Sequence, residues 1–303
     1  MTAQEIEKTG RFVRQKNRFT ERITADGAGG PPAEPGRYRL FVSHACPWAQ
    51  RSVIVRRLLG LEDVIGLAVV DPIRDERGWR VPGRDPVTGA EFLSELYLRT
   101  DPSYEGRYTV PCIWDTETKR LVTNDFPAIT TMLETEFAAH HRPGAPDLYP
   151  ERLRTEIDEL NAHVYTTVNN GVYKAGFATS QAAYDEAVDA LFTTLDDLEE
   201  RLSHRRYLLG DEITEADVRL YTTLARFDAV YYSHFKCNLR RLVDYPNLWG
   251  YARDLYAIPA FGGTTDFDQI KRHYYVTQRN INPSGVVPKG PLIDWTTPHN
   301  RDR

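Results

Sequence analysis

Three cysteines and two methionines are the only sulfur-bearing residues in this chain of 303 residues. Cys46, Cys112 and Cys237 are odd in number and widely spaced, which excludes a disulfide framework and leaves thiol reactivity as the question to ask of them. No apolar run approaches the ~20 residues needed to cross a bilayer, so no membrane association is expected. No Gly-x-Gly-x-x-Gly run or phosphate loop occurs, and no nucleotide cofactor is implied. Metal-ligand spacing is missing too: His140 and His141 are adjacent, and His234 with Cys237 has no further ligand nearby. Basic residues are not in excess, 38 against 43 acidic for a net charge of −5, which argues against nucleic acid as the main partner. The opening Met1-Thr2-Ala3-Gln4-Glu5-Ile6-Glu7-Lys8 has acids and no apolar core, so a cytoplasmic protein is expected.

What is present is the composition of an ordinary globular protein, 41% hydrophobic and 27% charged, at a length that suggests two domains. Residues 1–36 are polar and end in a Gly- and Pro-rich stretch, read as an extended arm. Tyr38–Val42 then makes a strand, Trp48–Leu59 a helix that Gly60 can end in a left-handed conformation, and Val64–Val70 a second strand. That is a βαβ unit with a right-handed crossover. A long irregular insertion follows, and loops of that length are usually functional or mobile. Cys112-Ile113-Trp114 and Arg120–Thr123 form a hairpin, after which Asn124-Asp125 can cap a helix from Phe126 to about Ala138. The order βαβ then ββα is the thioredoxin arrangement, assigned to residues 37–140. Residues 141–152 read as a linker. Beyond it, Arg152–Asn169, Ser180–Leu202, Glu215–Val230 and Leu248–Tyr256 show apolar spacing of three and four with no strand between, so residues 153–275 form an all-α domain. Thr214 and Asp217 mark a capped helix start with no chemistry. Residues 276–303 are a Pro- and Gly-punctuated tail that wraps the surface or meets a partner subunit.

Cys46 follows a strand directly and opens a helix, where unpaired backbone N–H groups and the positive end of the dipole favour a thiolate. Pro47 costs no hydrogen bond at the first helical position. Three residues on stands Ala49, so a dithiol Cys-x-x-Cys cycle is excluded and a monothiol cycle through a mixed disulfide remains. Val110-Pro111, ahead of the later strand, is expected to be cis, turning the Val110 backbone toward a bound thiol peptide. Cys112 and Cys237 are expected to be structural. His44 is a weaker candidate for a base near Cys46.

The runs Cys46-Pro47-Trp48-Ala49-Gln50-Arg51, Gly78-Trp79, Thr109-Val110-Pro111, Asn169–Ala178 and His234-Phe235-Lys236-Cys237 resemble those of the glutathionyl-hydroquinone reductases. These are the Xi-class, omega-like glutathione transferases, and the likeness extends from about Tyr38 to about Pro298. It implies an α/β thioredoxin-like N-terminal domain followed by an all-α glutathione-transferase C-terminal domain, in a homodimer. The implied reaction reduces a glutathionyl-hydroquinone to the hydroquinone with a second glutathione. Matched residue by residue, Cys46 is the nucleophile, Trp79 flanks glutathione, Val110 pairs with it through the backbone, and Asn124 and Asp125 meet its γ-glutamyl end. Tyr173 and Tyr274 touch the hydroquinone hydroxyls. One departure stands out: where the family commonly reads Asn-Glu-Ser, this chain has Asn124-Asp125-Phe126, a ring in place of a hydroxyl. A low-molecular-weight thiol other than glutathione is therefore a standing alternative. So are a general monothiol thioltransferase or dehydroascorbate-type reductase, and a non-catalytic binding protein on the same fold.

Overall fold

A computed structural model describes residues 5–301; residues 1–4 and 302–303, the outer ends of the expected arm and tail, lie outside the described residues. Contacts divide the chain into two units. One, the sheet unit, comprises Lys16–Asp147 together with Asp268–Thr277. The other, the helical unit, comprises the N-terminal segment through Gln15, Leu148–Phe267 and the segment from Gln278 onward.

The sheet unit runs β1 (Tyr38–Val42), α1 (Pro47–Leu58), β2 (Gly66–Val69), α2 (Leu93–Thr100), β3 (Cys112–Asp115), β4 (Arg120–Thr123) and α3 (Phe126–Thr135). The sheet order is β2-β1-β3-β4, with β1 and β2 parallel and the other pairs antiparallel, as the thioredoxin arrangement requires. Leu40, Phe41 and Val42 are consecutive and fully buried, the pattern of a strand covered on both faces. Past α1, Gly60 takes a φ of 72°, and a side chain there would strike Arg142.

The insertion after β2 is more ordered than its Gly and Pro content suggests. It contains α2, whose Leu93, Leu96 and Tyr97 bury one face at helical spacing. The buried Asp85 carboxylate pins the rest, accepting from Arg39 Nε of β1 at 2.6 Å and from the Thr88 amide at 2.8 Å. The arm also has a place: Thr20 bridges Thr123, and the Asn124 amide donates to the Phe19 carbonyl at 2.9 Å, which covers the edge of β4.

In the helical unit come α4 (Arg154–Val164), α5 (Gly171–Phe177), α6 (Gln181–His204), α7 (Glu215–Arg226), α8 (Pro246–Ala257) and α9 (Pro259–Gly262). The single helix expected over Arg152–Asn169 is instead α4 followed by a π-helical turn, Tyr165–Asn169. A second π-helical turn, Phe227–Tyr231, extends α7. The capping box at the start of α7 forms as expected: the Thr214 hydroxyl and amide both donate to Asp217. The tail packs on this unit. Trp295 is buried against Trp249, Tyr256 and Phe267, and Arg301 donates to the carbonyls of Leu202, Arg205 and Arg206 at the end of α6.

The last helix, α10 (Phe267–Thr277), was expected to belong with the all-α domain. By contacts, residues 268–277 group with the sheet unit instead. Among the described residues no helix is long and apolar enough to cross a membrane.

Candidate active site

The loop from β1 delivers Cys46 to the N-cap of α1 in extended conformation, with Pro47 opening the helix. The first turn of α1 has no acidic side chain to offset the positive end of its dipole. Cys46 is 7% exposed, and its amide donates to the Ser43 carbonyl at 3.0 Å. The Val110-Pro111 bond is cis, and the Val110 carbonyl lies 3.5 Å from Cys46 Sγ. The other two thiols differ. Cys112 and Cys237 are wholly buried, and burial pushes both well above the ordinary thiol range, which suits structural residues and not nucleophiles.

Behind Val110 stands a network. The Asn124 side chain accepts from the Phe19 amide at 3.0 Å and donates to Thr109 Oγ1 at 3.1 Å and to Tyr97 Oη at 3.2 Å. Tyr97 Oη in turn donates to the Thr109 carbonyl at 2.8 Å. The polar atoms of Asn124 are thus engaged within the protein, holding the segment that ends in Val110. Asp125 takes the N-cap position of α3 without capping it; its Oδ1 accepts from Asn17 Nδ2 at 2.9 Å. Phe126 turns its ring onto Trp48, two residues beyond Cys46, with centroids 4.6 Å apart. The Arg51 guanidinium lies over the Trp48 ring at 4.6 Å.

Trp79 is 4% exposed and stacks on His273 of α10, with centroids 5.0 Å apart and planes 18° apart. Its indole N–H is buried and has no hydrogen-bond partner among the described residues, a donor left for something to satisfy. His273 Nδ1 meets the Pro72 carbonyl at 2.6 Å, and its ring meets Tyr274 edge-on at 5.3 Å. The sheet unit therefore carries Cys46, Trp79, Val110, Asn124, Asp125 and Tyr274.

Tyr173 belongs to the helical unit. On α5 it packs edge-on against Phe235 at 5.4 Å and beside Tyr231 at 5.9 Å, with the Arg14 guanidinium 4.7 Å from its ring centre. His234, next to Phe235, bonds Gln278 at 2.9 Å. Burial pushes that imidazole below its usual range. Among the described residues no group of three or more His, Cys, Asp or Glu could hold a metal ion.

Sequence reading missed Tyr97, Asn17, Arg14 and His273. Tyr97 had a signal in the helical spacing of Leu93, Leu96 and Tyr97. Arg14 and Asn17 had none, since their partners are distant in the chain.

Residues 45–136 match the family glutathione S-transferase, N-terminal domain, and residues 181–254 match glutathione S-transferase, C-terminal domain. The chain is 49% identical to glutathionyl-hydroquinone reductase YqjG of Escherichia coli, over 97% of its own length and 93% of the relative's. It is 46% identical to glutathionyl-hydroquinone reductase PcpF of Sphingobium chlorophenolicum, over 93% and 90%. This chain belongs to the Xi-class glutathione transferases, the glutathionyl-hydroquinone reductase family.

The solved structures of the family agree in fold. A glutathione transferase from Gordonia bronchialis superposes with a TM-score of 0.91 at 56% identity, covering 93% of this chain and 90% of that one. Glutathione-bound YqjG superposes with 0.90 at 49% identity, covering 94% and 96%. The expected thioredoxin-like domain followed by a helical glutathione-transferase domain is thereby established, and so is membership among enzymes.

Proposed function

We propose that this protein reduces thiol-conjugated hydroquinones to free hydroquinones through a mixed disulfide on Cys46. The observation that carries the reading is Cys46 at the head of α1 with its sulfur facing the Val110 carbonyl. The Cys46 thiolate attacks the thioether sulfur of the conjugate. The conjugate reacts as its keto tautomer, in which the sulfur-bearing carbon has taken up a proton and one ring oxygen is a carbonyl; the S–S bond forms, the C–S bond breaks, and its electron pair passes through the ring to that oxygen, which is then protonated. A second thiol then attacks the sulfur of the bound thiol, releasing the symmetrical disulfide and restoring the Cys46 thiolate. Overall, one thioether and one thiol become one hydroquinone and one disulfide.

In this reading Trp79 lies along the thiol substrate and gives it the indole N–H, while Val110 meets its backbone. Asp125 receives its ammonium group, and Asn124 contributes by holding the Val110 segment. Tyr173 and Tyr274 donate hydroxyls to the hydroquinone oxygens. The enzyme acts as a homodimer in the cytoplasm. Phe126 supports a second reading of the co-substrate. Its ring, tilted against Trp48, offers no hydrogen bond to a γ-glutamyl group, which favours a low-molecular-weight thiol other than glutathione.

Intact-mass measurement with a glutathionyl-hydroquinone, comparing wild type with Cys46→Ser while following hydroquinone release, tests the proposal. Release accompanied by a thiol adduct on Cys46, both lost in the variant, is expected. Release that persists in Cys46→Ser refutes the mechanism. An adduct only with another thiol supports the second reading.

A further inference from the structure

The N-terminal segment brings one cation to Tyr173. Residues 5–13 form a small hairpin: Ile6 bridges Phe12, and the Val13 amide donates to the Glu5 carbonyl at 2.9 Å. Two bonds moor the hairpin to the residues before α6, from the Thr179 amide to the Gly10 carbonyl at 3.0 Å and from Ser180 Oγ to the Thr9 carbonyl at 2.8 Å. Arg14 follows this anchored turn. Its Nε donates at 2.9 Å to Oδ1 of Asn170, the residue between the π-helical turn and α5, and its guanidinium lies over the Tyr173 ring, 4.7 Å from the centre. Three residues after Asn170 on the same chain comes Tyr173 itself, so one short segment supplies both the ring and the group that aims the cation at it.

A guanidinium over an aromatic face is attracted by the ring's negative quadrupole, and it favours negative charge anywhere on that ring system. For a phenol this makes the O–H a stronger donor, most strongly when its acceptor is gaining charge. In the proposed reaction that acceptor is the quinoid oxygen, which takes up electron density as the C–S bond breaks. Tyr173 is only 7% exposed, and the rings of Phe177, Tyr231 and Phe235 pack against it, so water screens the cation weakly.

We propose that Arg14 is a positioning residue for hydroquinone release, acting through Tyr173 by fixing its ring and polarising its hydroxyl toward the leaving hydroquinone. The proposal rests on the reading of Tyr173 as a hydroquinone contact. A double-mutant cycle keeps the two apart. Arg14→Met should lower kcat ~10-fold, the equivalent of about 1.4 kcal/mol for a partly desolvated cation–π contact, with KM for the conjugate changed less than about twofold. Arg14→Lys, which keeps the charge, should recover part of the loss. In a Tyr173→Phe background the Arg14→Met loss should shrink to within about twofold, because the hydroxyl it serves is gone.

Equal losses in both backgrounds overturn the proposal, as does a wild-type kcat in Arg14→Met while Tyr173→Phe is impaired. If Tyr173→Phe is itself fully active, the reading of Tyr173 fails and takes the proposal with it. Should Arg14→Met fail to fold, Asn170→Ala and Arg14→Lys run the same cycle. Removing the acceptor that aims the guanidinium should then lower kcat in the Tyr173 background and leave it unchanged in the Phe background, and a loss shared by both overturns the proposal.

Discussion

Replacing Gly176 with alanine puts the packing around Tyr173 to a direct test. A Cβ on Gly176 would stand 2.2 Å from Phe235 Cγ and 2.3 Å from Cδ1, so the ring or α5 must move by about 1 Å to reach ordinary contact. The ring has nowhere to go. Phe235 is fully buried, stacked on Tyr231 at 5.4 Å and packed against Phe177 at 5.2 Å. Alanine gains ~1 kcal/mol over glycine in a helix interior, whereas overpacking a tight core costs ~1–3 kcal/mol. The clash should win, leaving the variant up to ~2 kcal/mol less stable and its Tm lower by about 2–4 °C for each kcal/mol. Since Phe235 sets the edge contact with Tyr173, hydroquinone release should fall more than the loss of folded protein explains. Calorimetric unfolding with parallel turnover measurements checks both. Trimming the obstacle with Phe235→Leu in the alanine background should recover part of the stability. A Tm at or above wild type together with full activity would refute the reasoning, since helix propensity would then outweigh a contact the structure shows as impossible.

Iodoacetamide at about pH 8 should alkylate Cys46 in the native protein and spare Cys112 and Cys237, whose burial holds them protonated; peptide mapping that finds either buried thiol labelled before unfolding contradicts this. Arg37→Met strips the buried Asp115 carboxylate of bonds at 3.0 and 2.7 Å and should cost ~3 kcal/mol at neutral pH. Burial pushes Asp115 up, but the bonds from Arg37 and the Glu117 amide carry it below the usual carboxylate range, so its stabilisation is present above the unfolded pKa and lost as pH falls through the folded one. The variant's penalty should therefore stay level down to about pH 4 and shrink below it, and denaturant unfolding that shows it growing between about pH 4 and about pH 2 excludes this account. Phe126→Ser should lower KM for glutathione ~10-fold by supplying a hydroxyl to a charged group, at some loss of packing on Trp48. Steady-state kinetics with no change in KM would show that position 126 does not face the thiol.

The surroundings of Cys46 were legible because their signals are local. A cysteine between a strand and Pro47 reads as a helix-terminal thiol whatever surrounds it, and Val110-Pro111 ahead of a strand reads as the turn that faces it. The capping box at Thr214 and Asp217 closes within one helical turn and formed as expected. Failures of reading fall where the partner is remote. The insertion after β2 looked irregular because its order comes from Asp85 reaching Arg39 on β1 and from α2 burying one face. The partners of Asn124 and Asp125 within the protein, Phe19, Thr109, Tyr97 and Asn17, were not legible either, because they lie far from both residues along the chain.

The chain order of residues by itself determined the strands, most of the helices, the place of Cys46 at a helix N-terminus and the family, because periodicity, caps and contiguous motifs depend on neighbours a few positions apart. Tertiary structure alone decided that residues 268–277 join the sheet unit, so that His273 stacks on Trp79. It alone set Arg14 over Tyr173 and Asn17 against Asp125. Those pairings join residues far apart along the chain, and a contact whose closure depends on the packing of everything between leaves no periodic trace in either partner's sequence.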